Sequence, residues 1–234
     1  MNTWVPRIVM ALALVSLPAF VAAQPWADGF DAYANGSGLH NQGGWRGWDG
    51  NPAFDAFVTN AQALSIPHSV DITPTSDIVQ QFAGANTGTW IMTGWCYIPS
   101  GSTGDQYFIL LNTYNEGGPN NWSTQILFDS DTGLVSDADN PFGTTFAIVN
   151  NQWVEVRVEI DLLANNQDIY YDGALLNSKS WTEGASGGGV LNIEALDLFS
   201  AGGSSIYWDD VSLFGGGPIS VEQTSWGSIK SRFR

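Results

Sequence analysis

The chain is poor in cations, in cysteine and in long apolar segments, and each shortage excludes something. Seven Lys and Arg stand against 23 Asp and Glu, a formal net charge of -16 at pH 7. Arg7 lies near the start, and Lys230, Arg232 and Arg234 lie at the very end. Between Gln24 and Gly217 only Arg46, Arg157 and Lys179 remain, against every carboxylate of the chain but Glu222. Such a field repels a phosphate backbone, which excludes nucleic acid as a partner. It suits neutral sugars or divalent cations, and makes anionic polysaccharides poor ligands unless calcium bridges them. The single cysteine, Cys96, excludes an internal disulfide. Within Trp95-Cys96-Tyr97 it reads as a small buried hydrophobe. A cysteine nucleophile has only His40 and His68 to draw on as a base, and no His/Cys cluster for zinc is present. Past the N-terminus no segment approaches the ~20 apolar residues of a membrane-spanning helix. Helical periodicity, internal repeats, a Ser/His/Asp set, a phosphate loop and a cofactor box are all missing.

The N-terminus reads as an export signal. One cation, Arg7, precedes an apolar stretch from Ile8 to Phe20, then the small residues Val21-Ala22-Ala23 before Gln24. The alternative is a retained N-terminal anchor. Residues 1–23 are set aside as the signal, residues 24–214 as one all-β domain, and residues 215–234 as a Gly/Pro linker and basic tail. The expected location is secreted or at the cell surface.

Period-two runs fill the domain. In Trp153–Asp161 the even positions are apolar and the odd ones mostly charged, which predicts a half-buried strand. Similar runs predict strands over 76–82, 89–98, 106–114, 122–128, 145–149, 168–171, 175–181, 193–199 and 205–214. Turn signals separate them: Asn86-Thr-Gly88, Pro99-Ser-Gly101, Glu116-Gly-Gly-Pro119, Asp131-Thr-Gly133 and Gly187-Gly-Gly189. Asp172-Gly173, between Ile169-Tyr170-Tyr171 and Ala174-Leu175-Leu176, predicts a tight hairpin of type I′. Many short strands without crossover helices imply two packed antiparallel sheets.

Aromatic residues in polar surroundings are the strongest functional lead. Of eleven tryptophans, Trp45, Trp48 and Trp122 lie in stretches that read as loops, as does Tyr114. Asp49 and Asn115 accompany them. Sugar rings stack their CH faces on indole and phenol rings while Asn, Asp and Gln take the hydroxyls. The other reading is that Trp45, Trp48 and Trp122 fold back as lids over the ends of the sandwich. Glu155, Arg157 and Glu159 share one face of the predicted strand 153–161, as a sugar-contacting surface or a solvated polar ladder. Asp129-Ser-Asp131-Thr-Gly133 mimics only the beginning of a calcium loop. Asn35-Gly-Ser37 and Asn121-Trp-Ser123 match the glycosylation pattern.

Asp28-Gly-Phe30-Asp31-Ala-Tyr33 with Gly43-Gly-Trp45-Arg-Gly-Trp48 resembles the opening of secreted concanavalin A-like or laminin-G-like jelly rolls. Asn151–Asp161 with the hairpin 169–176 resembles their central strand, and Ile206-Tyr-Trp208-Asp209-Asp210-Val211-Ser-Leu213 their closing strand. The resemblance implies a two-sheet antiparallel jelly-roll sandwich with first and last strands adjacent. It also implies a structural calcium held by Asp28, Asp31, Asp209 or Asp210. Members include lectins, carbohydrate-binding modules, adhesion modules and laminarinase-type hydrolases, so fold alone selects no function. The hydrolases carry Glu-x-Asp-x-(x)-Glu. Here Glu159-Ile160-Asp161 begins that pattern, but Leu163 or Ala164 stands where the second glutamate belongs. Glu155 and Glu159, four apart on a strand, are separated by roughly 13 Å, against about 5–5.5 Å for a retaining pair.

These observations point to a non-catalytic carbohydrate-binding or adhesion module acting on an extracellular glycan or cell-envelope component. A cell-surface structural protein without a small ligand, and less favourably a glycoside hydrolase, are the alternatives. The tail Ser225–Arg234 resembles short endings of bacterial secreted proteins, which implies recognition by sorting machinery; the alternative is a plain disordered end. Deleting Ser225–Arg234 is then expected to move the protein from the cell surface to the medium, read by fractionating a culture. An unchanged partition removes the attachment role.

Overall fold

The computed structural model describes residues 25–140 and 142–215. The segment expected to be an export signal and the expected tail after residue 215 therefore lie outside the described residues. Among the described residues, fifteen strands follow one another with two single-turn 3-10 helices. The first five are β1 (Trp26–Asp28), β2 (Trp45–Gly47), β3 (Phe57–Thr59), β4 (Ser69–Ile72) and β5 (Asp77–Gln81). The next five are β6 (Thr89–Tyr97), β7 (Asp105–Thr113), β8 (Asn121–Asp129), β9 (Leu134–Asp137) and β10 (Thr145–Ala147). The last are β11 (Trp153–Asp161), β12 (Asn166–Tyr171), β13 (Ala174–Ser180), β14 (Ala195–Ser200) and β15 (Ile206–Gly215). They form two antiparallel sheets packed as a β-sandwich. One runs β13-β12-β11-β6-β15-β4-β3, with β1 also paired to β15, and the other runs β10-β9-β8-β7-β14-β5-β2. Among the described residues, no helix is long and apolar enough to cross a membrane.

The alternation seen in the sequence is the burial pattern of the strands. Val154, Val156, Val158 and Ile160 of β11 point into the core while Glu155, Arg157 and Glu159 point out. Asp172 and Gly173 take φ of 50° and 75° between β12 and β13, the two positive values a type I′ turn requires. Cys96 is buried in β6, and burial pushes its thiol well above its ordinary range. The first and last strands are neighbours, with Trp26 opposite Leu213 and Asp28 opposite Val211. β15 is irregular between Asp209 and Ser212. Asp210 there has φ 44°, and Val211 is fully buried.

The strands β2, β3, β4 and β9 fall where no strand was predicted, because three or four residues cannot display a period. This corrects the reading of Trp45. It opens β2 rather than sitting in a polar loop, is 0% exposed, and packs 5.8 Å from Trp26 and 5.9 Å from Phe30, centroid to centroid. Its Nε1 donates to Asp28 Oδ2 at 2.9 Å, so even the polar edge of the indole is used inside the fold.

Trp208 is the contact on which the sheets close. Fully buried on β15, it lies 5.1 Å from Phe108 and 5.9 Å from Phe128 of the opposing sheet. Gly94 of β6 leaves room for it. A Cβ at Gly94 would lie 3.1 Å from Trp208 Cε3 and 3.4 Å from Phe108 Cε2. The ring is held on both sides, so Gly94→Ala is expected to cost about 1–3 kcal/mol through overpacking. The check is a lower melting temperature with an unchanged far-ultraviolet spectrum.

Candidate functional site

The central strands of the second sheet carry apolar residues on both faces. β7 reads Tyr107-Phe108-Ile109-Leu110-Leu111 and β14 reads Ala195-Leu196-Asp197-Leu198-Phe199. The even positions face the first sheet. The odd positions face outward, where Val79, Ile109, Leu111, Tyr114 and Ala195 make a separate buried cluster. Such an outer face must be covered, and Trp48, Tyr107, Trp122 and Phe199 pack over it. All four rings remain half-buried, so each keeps a free surface.

The cover leaves a trough of about 300 Å³ lined by Trp48, Tyr107, Ile109, Trp122, Gln125, Asp197 and Phe199. Its floor is one cross-strand row, Asp197 opposite Ile109 and Ile109 opposite Gln125. Tyr107 and Phe199 form the next row and stack at 5.6 Å with planes 28° apart. Trp48 and Trp122 stand at the other end, stacked at 6.2 Å and 12°. Tyr114 meets Trp48 edge-on at 5.0 Å. The result is an apolar-walled slot with two polar side chains at its base.

The turn after β2 holds Trp48, and the start of β8, where a loop was expected, holds Trp122. The chain turns at Trp48–Gly50, where Asp49 has φ 54°. The Asp49 amide donates to Tyr114 Oη at 3.0 Å, and the Gly117 amide donates to Asp49 Oδ1 at 2.8 Å. Arg46 pairs with Glu116 at 3.0 Å across the same junction. Trp122 is fixed by its backbone: its amide donates to Ser186 Oγ at 3.1 Å, and its carbonyl accepts from the Ala185 and Ser186 amides. Asn115 shapes its own loop, with its amide donating to Asn120 Oδ1 and its Nδ2 donating to the Pro119 carbonyl.

The structure therefore brings together Trp48, Asp49, Tyr114, Asn115 and Trp122, and separates them from the rest of the predicted set. Trp45 lies in the core. Glu155, Arg157 and Glu159 lie on the outer face of the first sheet, on the other side of the sandwich. There Arg157 sits 3.5 Å from Glu155, bonds Glu159, and lies 4.2 Å over the Tyr170 ring. This is an ion-paired ladder in which Arg157 separates the two glutamates. Burial raises the Glu155 carboxyl while Arg157 draws it back.

The residues missed by sequence reading are Tyr107, Ile109, Gln125, Phe199 and above all Asp197. A signal for them exists. An apolar run that fails to alternate, in an antiparallel sheet, marks a strand covered on both faces. Asp197 interrupts such a run and is 3% exposed. It hydrogen-bonds the Asp77 carboxyl of β5. Burial, and then the neighbouring carboxylate, hold Asp197 well above its ordinary range, while burial pushes Asp77 up to about 6. The two carboxyls share a proton where isolated aspartates would be ionised.

The four acids implied as calcium ligands serve other partners. Asp28 accepts from the Phe30 amide, from Tyr33 Oη at 2.6 Å and from Trp45 Nε1. Asp31 accepts from the His68 amide. Asp209 accepts from the Leu64 and Ser65 amides at 2.8 and 2.9 Å, and Ser65 Oγ donates to Asp210 Oδ1 at 3.0 Å. Burial pushes Asp209 up to about 7, with Asp210 adding to it. Among the described residues no three His, Cys, Asp or Glu side chains gather as a cation site. The arrangement ties chain segments to the opening and closing strands.

The carboxyl pair sets the sign of a pH dependence. Its folded pKa values exceed the unfolded ones, so the folded state binds more protons between about pH 4 and the folded value, and stability falls as pH rises. The melting temperature is expected to be higher at pH 5 than at pH 8, with the pair contributing ~2 kcal/mol of the difference. Asp197→Asn should flatten that slope in calorimetric scans; an unaltered slope removes the shared proton.

No protein-family model matches the chain, and no curated protein matches it. Solved structures resemble it in fold. A sialidase aligns over 85% of this chain and 19% of its own, at 10% identity and a TM-score of 0.56. A Trypanosoma rangeli sialidase, in complex with 2,3-difluorosialic acid, aligns over 68% of this chain and 27% of its own, at 13% identity and a TM-score of 0.50. The binding domain of Paraclostridial Mosquitocidal Protein 1 aligns over 70% of this chain and 43% of its own, at 15% identity and a TM-score of 0.44. The chain thus spans about a fifth to a quarter of the sialidases' length.

Proposed function

We propose that the chain is a secreted or cell-surface glycan-binding domain of the concanavalin A-like jelly-roll class, and that it binds its ligand in the trough on the outer face of the second sheet. The observation that carries this reading is the trough itself. Half-buried rings of Trp48, Trp122, Tyr107 and Phe199 surround a floor on which Asp197 and Gln125 flank Ile109. Flat apolar walls match the CH faces of a pyranose, and a few convergent polar groups match its hydroxyls. A volume of about 300 Å³ lies at the small end of ligand clefts, which suits one or two sugar rings. Pairing of β1 with β15 supports the jelly-roll assignment.

Binding without hydrolysis is favoured by the carboxyl geometry. Asp77 and Asp197 touch, whereas hydrolysis needs carboxyls about 5–5.5 Å apart for retention or about 6.5–9.5 Å for inversion. The Glu159-Ile160-Asp161 segment belongs to β11, on the sheet opposite the trough.

Glycan-array binding tests the proposal. Trp122→Ala is expected to weaken binding at least tenfold while the melting curve stays cooperative. Glu155→Gln and Glu159→Gln, on the far face, should leave it unchanged. Silence of the intact protein across a broad array would overturn the reading.

A further inference from the structure

Asp197 is the one carboxyl lining the trough, 3% exposed, and beyond the carboxyl of Asp77 no donor reaches its buried Oδ1. No other donor reaches the buried Oδ1 of Asp77 either. A buried acceptor in this state is stabilised by whatever donor reaches it. Asp197 lines the trough, and Gln125 lies across Ile109 from it with both donor and acceptor capacity. A sugar ring resting over Ile109, with its CH face on the aromatic walls, would place hydroxyls at both edges of the floor.

Charge decides which sugars fit. The charged groups around Asp197 are Asp77 of β5, Asp49 of the loop after β2, and Arg46 of β2, with the Tyr114 phenol above. Arg46 is held by Glu116 at 3.0 Å. The other two Lys and Arg of the described residues are engaged elsewhere: Arg157 with Glu155 and Glu159, and Lys179 with Asp137 and Asp139 at 2.8 Å each. A carboxylate or sulfate entering the trough would meet acids and no uncommitted arginine or lysine.

We infer that Asp197, aided by Gln125, is the specificity-determining residue of the trough: it accepts a ring hydroxyl, so that the bound unit is an uncharged sugar and acidic sugars are refused. The inference rests on the glycan-binding reading and names its ligand class. A site built around a buried polar group discriminates strongly against a ligand that cannot satisfy it.

The test is a glycan array followed by titration calorimetry, using the full secreted chain. The array carries oligomers of glucose, galactose, mannose and N-acetylglucosamine beside uronate- and sialate-containing glycans. Neutral glycans are expected to bind, and the C6-oxidised form of each bound neutral glycan to bind at least tenfold more weakly. Asp197→Asn keeps the size of the side chain but replaces one acceptor with a donor. It is expected to lose at least tenfold in affinity for neutral glycans, while Glu159→Gln does not. Uronates or sialates bound as tightly as neutral glycans would overturn the inference and leave the glycan-binding reading standing. A folded Asp197→Asn with wild-type affinity would overturn it too. Should that variant not fold, the comparison of neutral and C6-oxidised glycans on the intact protein decides alone. Absence of all binding overturns both readings.

Discussion

Everything in this molecule follows from strands β7 and β14 being apolar on two sides at once. Their inner residues, Phe108, Leu110, Leu196 and Leu198, close against the first sheet. Their outer residues, Tyr107, Ile109, Leu111, Ala195 and Phe199, would face water unless something covered them. A sheet edge or an adjacent helix could have done so, but the chain supplies Trp48 and Tyr114 from its loops and Trp122 from the start of β8. Three large rings cannot tile a twisted sheet without gaps, and the gap they leave is the trough. The same hydrophobic requirement that completes the fold thus places half-buried aromatics around a polar floor.

The two outer faces show what the alternative looks like. On the first sheet, β11 alternates strictly, and its outward side chains form a ladder of Glu155, Arg157 and Glu159 with Tyr170 beneath the guanidinium. Glu155 and Glu159 both neighbour the Arg157 guanidinium, while Asp168, opposite Glu159, is held by Asn166 and Ser178, and the surface needs no cover. On the second sheet the buried outward charges are acids in an apolar setting. Asp77 and Asp197 tolerate burial by sharing a proton, which keeps the pair from carrying two full charges in a medium that solvates neither. A solvated ladder and an aromatic trough therefore sit back to back on one sandwich.

The scarcity of lysine and arginine gives each one structural weight. Lys179 of β13 reaches Asp137 of β9 and Asp139 just beyond it, linking the edges of the two sheets. Arg46 ties β2, just before Trp48, to the loop after Tyr114. With no disulfide available, these ion pairs and the hydrogen bonds of Asp28 and Asp209 do the cross-linking between distant segments. That use leaves the carboxylates of the opening and closing strands surrounded by N–H and O–H donors.

The local pattern alone was enough for the all-β class, for the long strands and for the Asp172-Gly173 hairpin, because side-chain alternation and positive-φ turn residues are properties of neighbouring positions. Trp48, Tyr114 and Trp122 were legible as a group because rings among Asn, Gly and Asp are unusual in any loop. The position of Trp45 was not, since a three-residue strand has no period to read and its glycine-rich flanks resemble a loop. Nor was the separation of Glu155, Arg157 and Glu159 from the tryptophans, which depends on the sheet to which each strand belongs. The meeting of Asp77 with Asp197 required β5 and β14, far apart in the chain, to pair in one register, and a shift of β5 by one residue would have turned Asp77 to the opposite face from Asp197. Strand identity is encoded by near neighbours, but a site assembled across strands exists only once long-range pairing has selected partners and register.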